Sequence, residues 1–350
     1  MANWIILLLV LVGHSDAASL PPTMRAVVAT AKANEGNFSL VEVVSNHAVP
    51  TPAHKEIIIA VHASSVNPVD WKLLSGDLPV RFPHILGFDV AGTVAAVGSG
   101  STRLNVGDAV WADLGEIWPL RGGELGAYAE YALANEAQVG LKPQSMNFSD
   151  AATIPLVGLT TLQAYRKMGI DRRGANTTVV VTSGSGGTGF VGIQLAKAFG
   201  ATKVITACGP TTQAFCKELG ADTVVDYTQG VEALWQAAGV DDVDFVYDNF
   251  GAKGTADLAM PSLRVGGIFL WLPGKDGAAS KHPKPGVQQI NYGLCDATKY
   301  EDLDALASLV DAGSLEARVS RSYPLEQVVA AFNASYAGGV VGKFGISVMV

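Results

Sequence analysis

Residues 179–189 read Val-Val-Val-Thr-Ser-Gly-Ser-Gly-Gly-Thr-Gly and place Gly184, Gly186 and Gly189 in the spacing G-x-G-x-x-G. The three β-branched residues before the turn suit a strand covered on both faces. Phe190-Val191-Gly192-Ile193-Gln194-Leu195-Ala196-Lys197 after it predicts an amphipathic helix. Strand, glycine turn and helix in this order suit a dinucleotide. Gly184 is expected to take the tight turn, Gly186 to let the backbone approach a pyrophosphate, and Gly189 to let the helix pack on the strand. Ser185, Gly187 and Thr188 complete the loop, and the free N–H groups opening the helix face an anion. An enzyme using a nicotinamide cofactor is the leading expectation.

The surrounding pattern supplies the elements that must hold such a loop. A second strand is expected at residues 203–207 with a helix at 211–219, and strands follow around Val224, Phe245 and Ile268. That alternation produces a parallel, doubly wound sheet, an α/β fold. The chain before it reads as β-rich, with strands at 57–61, 90–98, 106–111 and 128–133 between glycine turns, and changes to helix from Asp150. A helix at 303–312 and strands at 317–323 and 343–350 are expected to return to the first lobe. The division is 1–23 as an N-terminal extension, 24–150 as the first lobe, 151–290 as the cofactor lobe and 291–350 as the return.

Composition agrees with two lobes. At roughly 150 residues per domain, 350 residues suggest two, and 49% hydrophobic residues provide a core for both. A net charge of -8 with 16% charged residues and no basic run excludes a phosphate-backbone partner, so no nucleic acid is expected. Cys208, Cys216 and Cys295 are too few for a disulfide framework or a four-cysteine zinc lobe, and read as buried free thiols.

Residues 4–12 form an apolar run followed by Ser15 and Ala17 in the small-x-small form of a signal cleavage site, too short to span a bilayer. The extension therefore reads as a signal peptide into the secretory pathway, with no membrane span in the mature chain and sequons at Asn37, Asn147, Asn176 and Asn333. The alternative is a cytoplasmic or plastid protein, if the extension is no signal or Met24 is the true start.

Several motifs in order carry a family resemblance over residues 24–350: Ser65-Val66-Asn67-Pro68-Val69-Asp70-Trp71-Lys72, Leu86-Gly87-Phe88-Asp89-Val90-Ala91-Gly92, Gly126-Ala127-Tyr128-Ala129-Glu130-Tyr131 and residues 154–164. The Gly184 loop, Leu219-Gly220-Ala221-Asp222 before Asp226-Tyr227, and Leu263-Arg264-Val265-Gly266-Gly267 continue them. The chain resembles a medium-chain dehydrogenase/reductase of the zinc-free quinone oxidoreductase and enoyl reductase branch, which includes zeta-crystallin and the plant alkenal and enone reductases. The resemblance implies a GroES-like β-rich catalytic domain beside a Rossmann cofactor domain, and a homodimer. The zinc-dependent branch carries a metal-binding cysteine where this chain has Asn67, and Gly-His-Glu where it has Gly87-Phe88-Asp89, so no catalytic zinc is expected.

The cheapest chemistry without a Lewis acid is hydride addition to the β-carbon of an enone or enal, or to a quinone, with the charge delocalised on the carbonyl oxygen. By resemblance, Asn67 is expected to bond the nicotinamide amide or the substrate, with Trp71 and Tyr128 as an aromatic wall; Thr161 and Asn249 face the nicotinamide. Cys208 and Gly209 end the second strand with no acid after them, and Tyr227 matches a position that holds a 2′-phosphate in related reductases, so NADPH is the expected cofactor. His54, His62 and His84 read as structural or exposed, and Asp70 and Asp89 as turn-shaping. A non-enzymatic, NADPH-binding structural or interaction protein is the alternative.

Overall fold

Apolar runs alternating with polar residues dictate antiparallel strands in the first lobe. In the computed structural model, which describes residues 20–75, 81–115, 126–173, 176–230, 232–272 and 276–349, these are β1 (Thr23–Ala29), β2 (Val41–Ala48), β3 (Glu56–Ser65), helix α1 (Pro68–Ser75), β4 (His84–Ile85), β5 (Asp89–Val97), β6 (Ala109–Asp113), β7 (Tyr131–Asn135) and β8 (Val139–Leu141). The apolar segment read as a signal peptide lies outside the described residues through residue 19, as does the stretch 116–124. Strands β2-β1-β4 form a small antiparallel sheet, while β3, β5, β6 and β8 run through the larger one and β7 pairs with β3. The strand expected at 106–111 begins at Ala109 instead, because Asn105 N donates to Asp108 Oδ2 at 2.8 Å across a turn. The one expected at 128–133 begins at Tyr131, with Ala129 making only a lone bridge to Ala26.

The second lobe comprises α2 (Pro155–Met168), β9 (Thr178–Val181), α3 (Gly187–Ala198), β10 (Lys203–Cys208), β11 (Thr223–Asp226), β12 (Val243–Asp248), β13 (Leu263–Trp271) and β14 (Gln288–Asn291). Its six strands are parallel in the order β11-β10-β9-β12-β13-β14. This is the doubly wound α/β arrangement, Rossmann-like, with the direction of winding reversing between β9 and β12. Val179 and Val181 face one core and Val180 the other, which is why the run carries no polar alternation.

The chain then forms α4 (Tyr300–Asp311), β15 (Val319–Pro324), α5 (Val328–Tyr336) and β16 (Lys343–Ser347), and β16 lies antiparallel to β3. One apolar core joins the lobes: Ala63, Ala91 and Trp111 of the first pack in the same cluster as Leu159, Phe190 and Val179 of the second. Phe190 is fully buried in it. Phe190→Ala should lower stability by about 3–5 kcal/mol, read as an earlier urea midpoint with the secondary-structure signal of the native protein unchanged.

Candidate functional site

The glycine loop closes β9 and opens α3, and its glycines divide the work. None of Gly184, Gly186, Gly187 and Gly189 has a positive φ, so backbone freedom is not what they supply. A Cβ on Gly189 would lie 1.7 Å from Ser183 O, where helix meets strand, as the spacing predicts. Gly184 departs from its expected turn role: a Cβ there would lie 2.3 Å from Thr206 Oγ1 and 2.9 Å from Ile193 Cδ1, so it is a packing glycine between β10 and α3. Gly186 alone faces space, its nearest neighbour being Ser183 Oγ at 3.7 Å from a Cβ. It is also the N-cap of α3 and offers no side-chain cap, which leaves the helix N–H groups for an anion. A cradle that a Cβ would fill, at an uncapped twelve-residue helix, fits a dinucleotide pyrophosphate.

At one end of the loop, β10 finishes at Cys208 and Gly209 beside the ring of Tyr227, which would sit 3.6 Å from a Cβ on Gly209 and is 62% exposed. The adjacent Asp226 spends its carboxylate on Thr228, accepting from its N at 2.9 Å and Oγ1 at 2.7 Å. Cys208 is buried against Cys216, whose thiol is pushed up by burial and by Cys208. All three cysteines are free.

At the other end, Asn249 clamps the loop. Its Oδ1 accepts from Ser183 N at 2.9 Å, while its Nδ2 donates to Ser183 O at 2.9 Å and to Thr188 Oγ1 at 3.2 Å. Thr161 Oγ1 donates back to Val157 O at 2.8 Å and lies 3.4 Å from Thr188 O. The hydroxyl of Tyr247 lies 3.3 Å from Thr161 Oγ1; sequence reading passed over Tyr247, whose apolar strand neighbours mark it only as core.

In the first lobe, Asn67 lies in the turn after β3, just before Pro68. It is fully buried, with Nδ2 donating to Asp89 Oδ2 at 2.6 Å and Oδ1 accepting from Lys343 Nζ. Asp89 was expected to shape a turn; instead it is the centre of a buried network. Its Oδ2 also accepts from Ser65 Oγ at 2.6 Å and lies 3.5 Å from Lys343 Nζ, and its Oδ1 accepts from Leu156 N at 2.8 Å, at the start of α2. Helix α2 has no side-chain cap of its own, so this carboxylate serves its positive end. Asp70 does bind its turn, accepting from Asn67 N at 2.7 Å and Phe88 N at 3.1 Å, but it also accepts from Tyr128 Oη at 2.9 Å inside the core. Lys343 was missed; its one signal is a lysine heading an otherwise uncharged strand.

Charge in this cluster is rationed. Burial pushes the carboxyls of Asp70 and Asp113 up to about 7, in Asp113 with help from the charge of Asp89. Burial lowers Lys343, against the pull of Asp89. Cys295 Sγ donates to Asp113 Oδ2 at 3.4 Å, and its thiol is pushed up by burial and by Asp113.

The aromatic pair separates. Trp71 is half-buried, its indole N–H on Ser335 Oγ at 3.3 Å and its ring edge-on to Tyr336 at 5.3 Å. Tyr128 presents no ring face to a cleft: it is fully buried and packed on Phe332, and Gly87, at φ 102, leaves room for it where a Cβ would stand 2.7 Å from its ring. The reason is its hydroxyl, which draws the ring inward to Asp70 and Ser65 O. His62 stacks on Phe148 at 4.2 Å and contacts Thr93, and His84 is buried. Among the described residues no group of three or more His, Cys, Asp or Glu could hold a metal ion.

Residues 53–144 match the alcohol dehydrogenase GroES-like domain, and residues 219–344 match the zinc-binding dehydrogenase family. The chain is 34% identical over 307 residues to a chloroplast envelope quinone oxidoreductase homolog of Arabidopsis thaliana, covering 84% of this chain and 90% of that protein. It is 33% identical to an NADPH-dependent alkenal/one oxidoreductase, chloroplastic, of the same plant, over 73% of this chain and 64% of that one. A mycobacterial protein solved in complex with NADPH superposes with a TM-score of 0.75 at 26% identity, covering 93% of this chain and 100% of that one.

In the unfolded chain Asp70 and Asp113 ionise near 3.8, in the folded protein near 7. The folded state therefore binds more protons across that interval, and their contribution to stability is complete below it and lost as pH rises through it. Asp113→Asn should flatten the decline of the thermal midpoint across that interval relative to the native protein; an identical slope in both would remove Asp113 as the proton holder.

Proposed function

Because this chain belongs to the medium-chain dehydrogenase/reductase family, in its zinc-free quinone oxidoreductase branch, we propose that it is an NADPH-dependent reductase of electrophilic alkenes (enals and enones) or quinones. The observation that carries the reading is the Gly186 cradle at the uncapped start of α3, at the switch point of a parallel sheet. When bound, NADPH supplies the hydride. The chain's own residues bind, orient and exclude water. Gly186, Gly187 and the first N–H groups of α3 take the pyrophosphate, with Gly184, Ser185, Thr188 and Gly189 shaping the loop. Gly209 and Tyr227 take the 2′-phosphate end, where no free carboxylate follows Cys208 and the exposed ring of Tyr227 supports the choice of NADPH.

Asn249 holds the loop on the nicotinamide side and Thr161 stands behind it. The amide of Asn67 is the donor for the nicotinamide amide or the substrate carbonyl, its orientation set by Asp89 and Lys343. Trp71 flanks the substrate, and Tyr128 acts from beneath by holding Asp70 and Ser65 in place. The relatives' names support an enzyme over a structural protein, and an organelle, plastid or mitochondrion, over the secretory route. A homodimer would form through an edge of the parallel sheet, where β11 and β14 each pair on one side only among the described residues.

A panel of enals, enones and quinones with NADPH and NADH tests the reading: a reduced product should accumulate in step with NADPH consumed, and nucleotide binding without turnover on any of them would sink it. Gly186→Val should fold normally and weaken NADPH binding by about tenfold or more, a loss of about 1.4 kcal/mol, in a fluorescence titration.

A further inference from the structure

We propose that Lys343 is a positioning residue of this reductase: its ammonium fixes the amide of Asn67 and ties the catalytic sheet to the opening turn of α3. The inference rests on the reductase reading and adds a residue from the far end of the chain to it.

Lys343 is the only lysine or arginine that is buried among the described residues, at 4% exposure. An ammonium without water is tolerated only where its protons are met. Here Nζ donates to Val66 O at 2.8 Å and to Asn67 Oδ1, with Asp89 Oδ2 at 3.5 Å.

The route of the side chain matters as much as its end. Gly342 N donates to Ser185 O in the glycine loop at 2.8 Å. The Lys343 stem then passes the first residue of α3, with Cδ only 3.3 Å from where a Cβ on Gly187 would stand. Gly342 has φ 69, and a Cβ on it would lie 2.1 Å from Arg318 O, so the launch point is fixed. One side chain thus runs past the first residue of α3 with its stem and reaches the Asn67 turn with its head.

The consequence for Asn67 is orientational. With a cation on Oδ1 and a carboxylate on Nδ2, its amide has one favoured setting, since a flip would turn N–H groups toward the ammonium and an oxygen toward the carboxylate. A lysine that only neutralised Asp89 would not need to touch Asn67.

The two roles separate in a double-mutant cycle of Lys343→Met and Asn67→Ala, read as kcat and KM on whichever enone or quinone the native protein reduces, with the NADPH dissociation constant and thermal midpoint of each variant. Lys343→Met should lower kcat by about tenfold or more while the NADPH dissociation constant moves by less than about threefold, and in the Asn67→Ala background the same change should lower kcat no further. Losses that multiply in the double variant, or a Lys343→Met protein with native kcat, would overturn the inference. Should Lys343→Met not fold, Lys343→Gln, which keeps a donor for Val66 O, carries the same cycle. Failure of the native protein to reduce any member of the panel overturns the reductase reading and this inference with it; native turnover undiminished in the lysine variants overturns this inference alone.

Discussion

One carboxylate, that of Asp89, joins its own strand to three segments that the chain visits far apart. It accepts from Ser65 at the end of β3, from Asn67 in the following turn and from the first turn of α2, and it pairs with Lys343 of β16. Because Asp89 and Lys343 are both removed from water, each makes the other tolerable; stripping one partner from such a pair leaves a buried charge and costs about 3–5 kcal/mol. The geometry of the cleft wall follows from that mutual need. Strand β16 must return to β3, and α2 must start where the carboxylate can meet its N–H groups.

Removal from water also sets the protonation of the neighbours. Burial holds Asp70 and Asp113 as acids up to about 7, and the charge of Asp89 adds to this in both. Tyr128 then serves as a donor to Asp70 and is drawn into the core, which is why it is no aromatic wall. Asn67, which the resemblance aligns with the metal-binding cysteine of the zinc-dependent branch, is bound here to a lysine, as is Asp89.

The cofactor side follows a different physical rule, the absence of Cβ atoms. Gly184 and Gly189 let β9, β10 and α3 approach to distances that any side chain would forbid, and so place the start of the helix. Gly186, freed of internal contacts, is left for a ligand. Asn249 then locks the loop through both faces of its amide. The two halves of the site meet where Gly342 and Lys343 cross to Ser185 and Gly187.

What the chain's order of residues determined by itself is local: the β-branched run, glycine turn and amphipathic helix around Gly184, and the alternation that yields a parallel sheet; Asn67, Tyr227 and Asn249 were candidates only through the family resemblance. These signals lie within one turn or one strand, where periodicity and steric demand are readable directly. The tertiary structure alone decided which buried charges meet. Lys343 and Asn67 are 276 positions apart, and no periodicity connects them. Asp89 read as a turn-shaping residue; only the closure of β16 onto β3 brought it a cation. Partner choice among buried polar groups is a property of desolvation across the whole fold, and it leaves almost no trace in the spacing of neighbours.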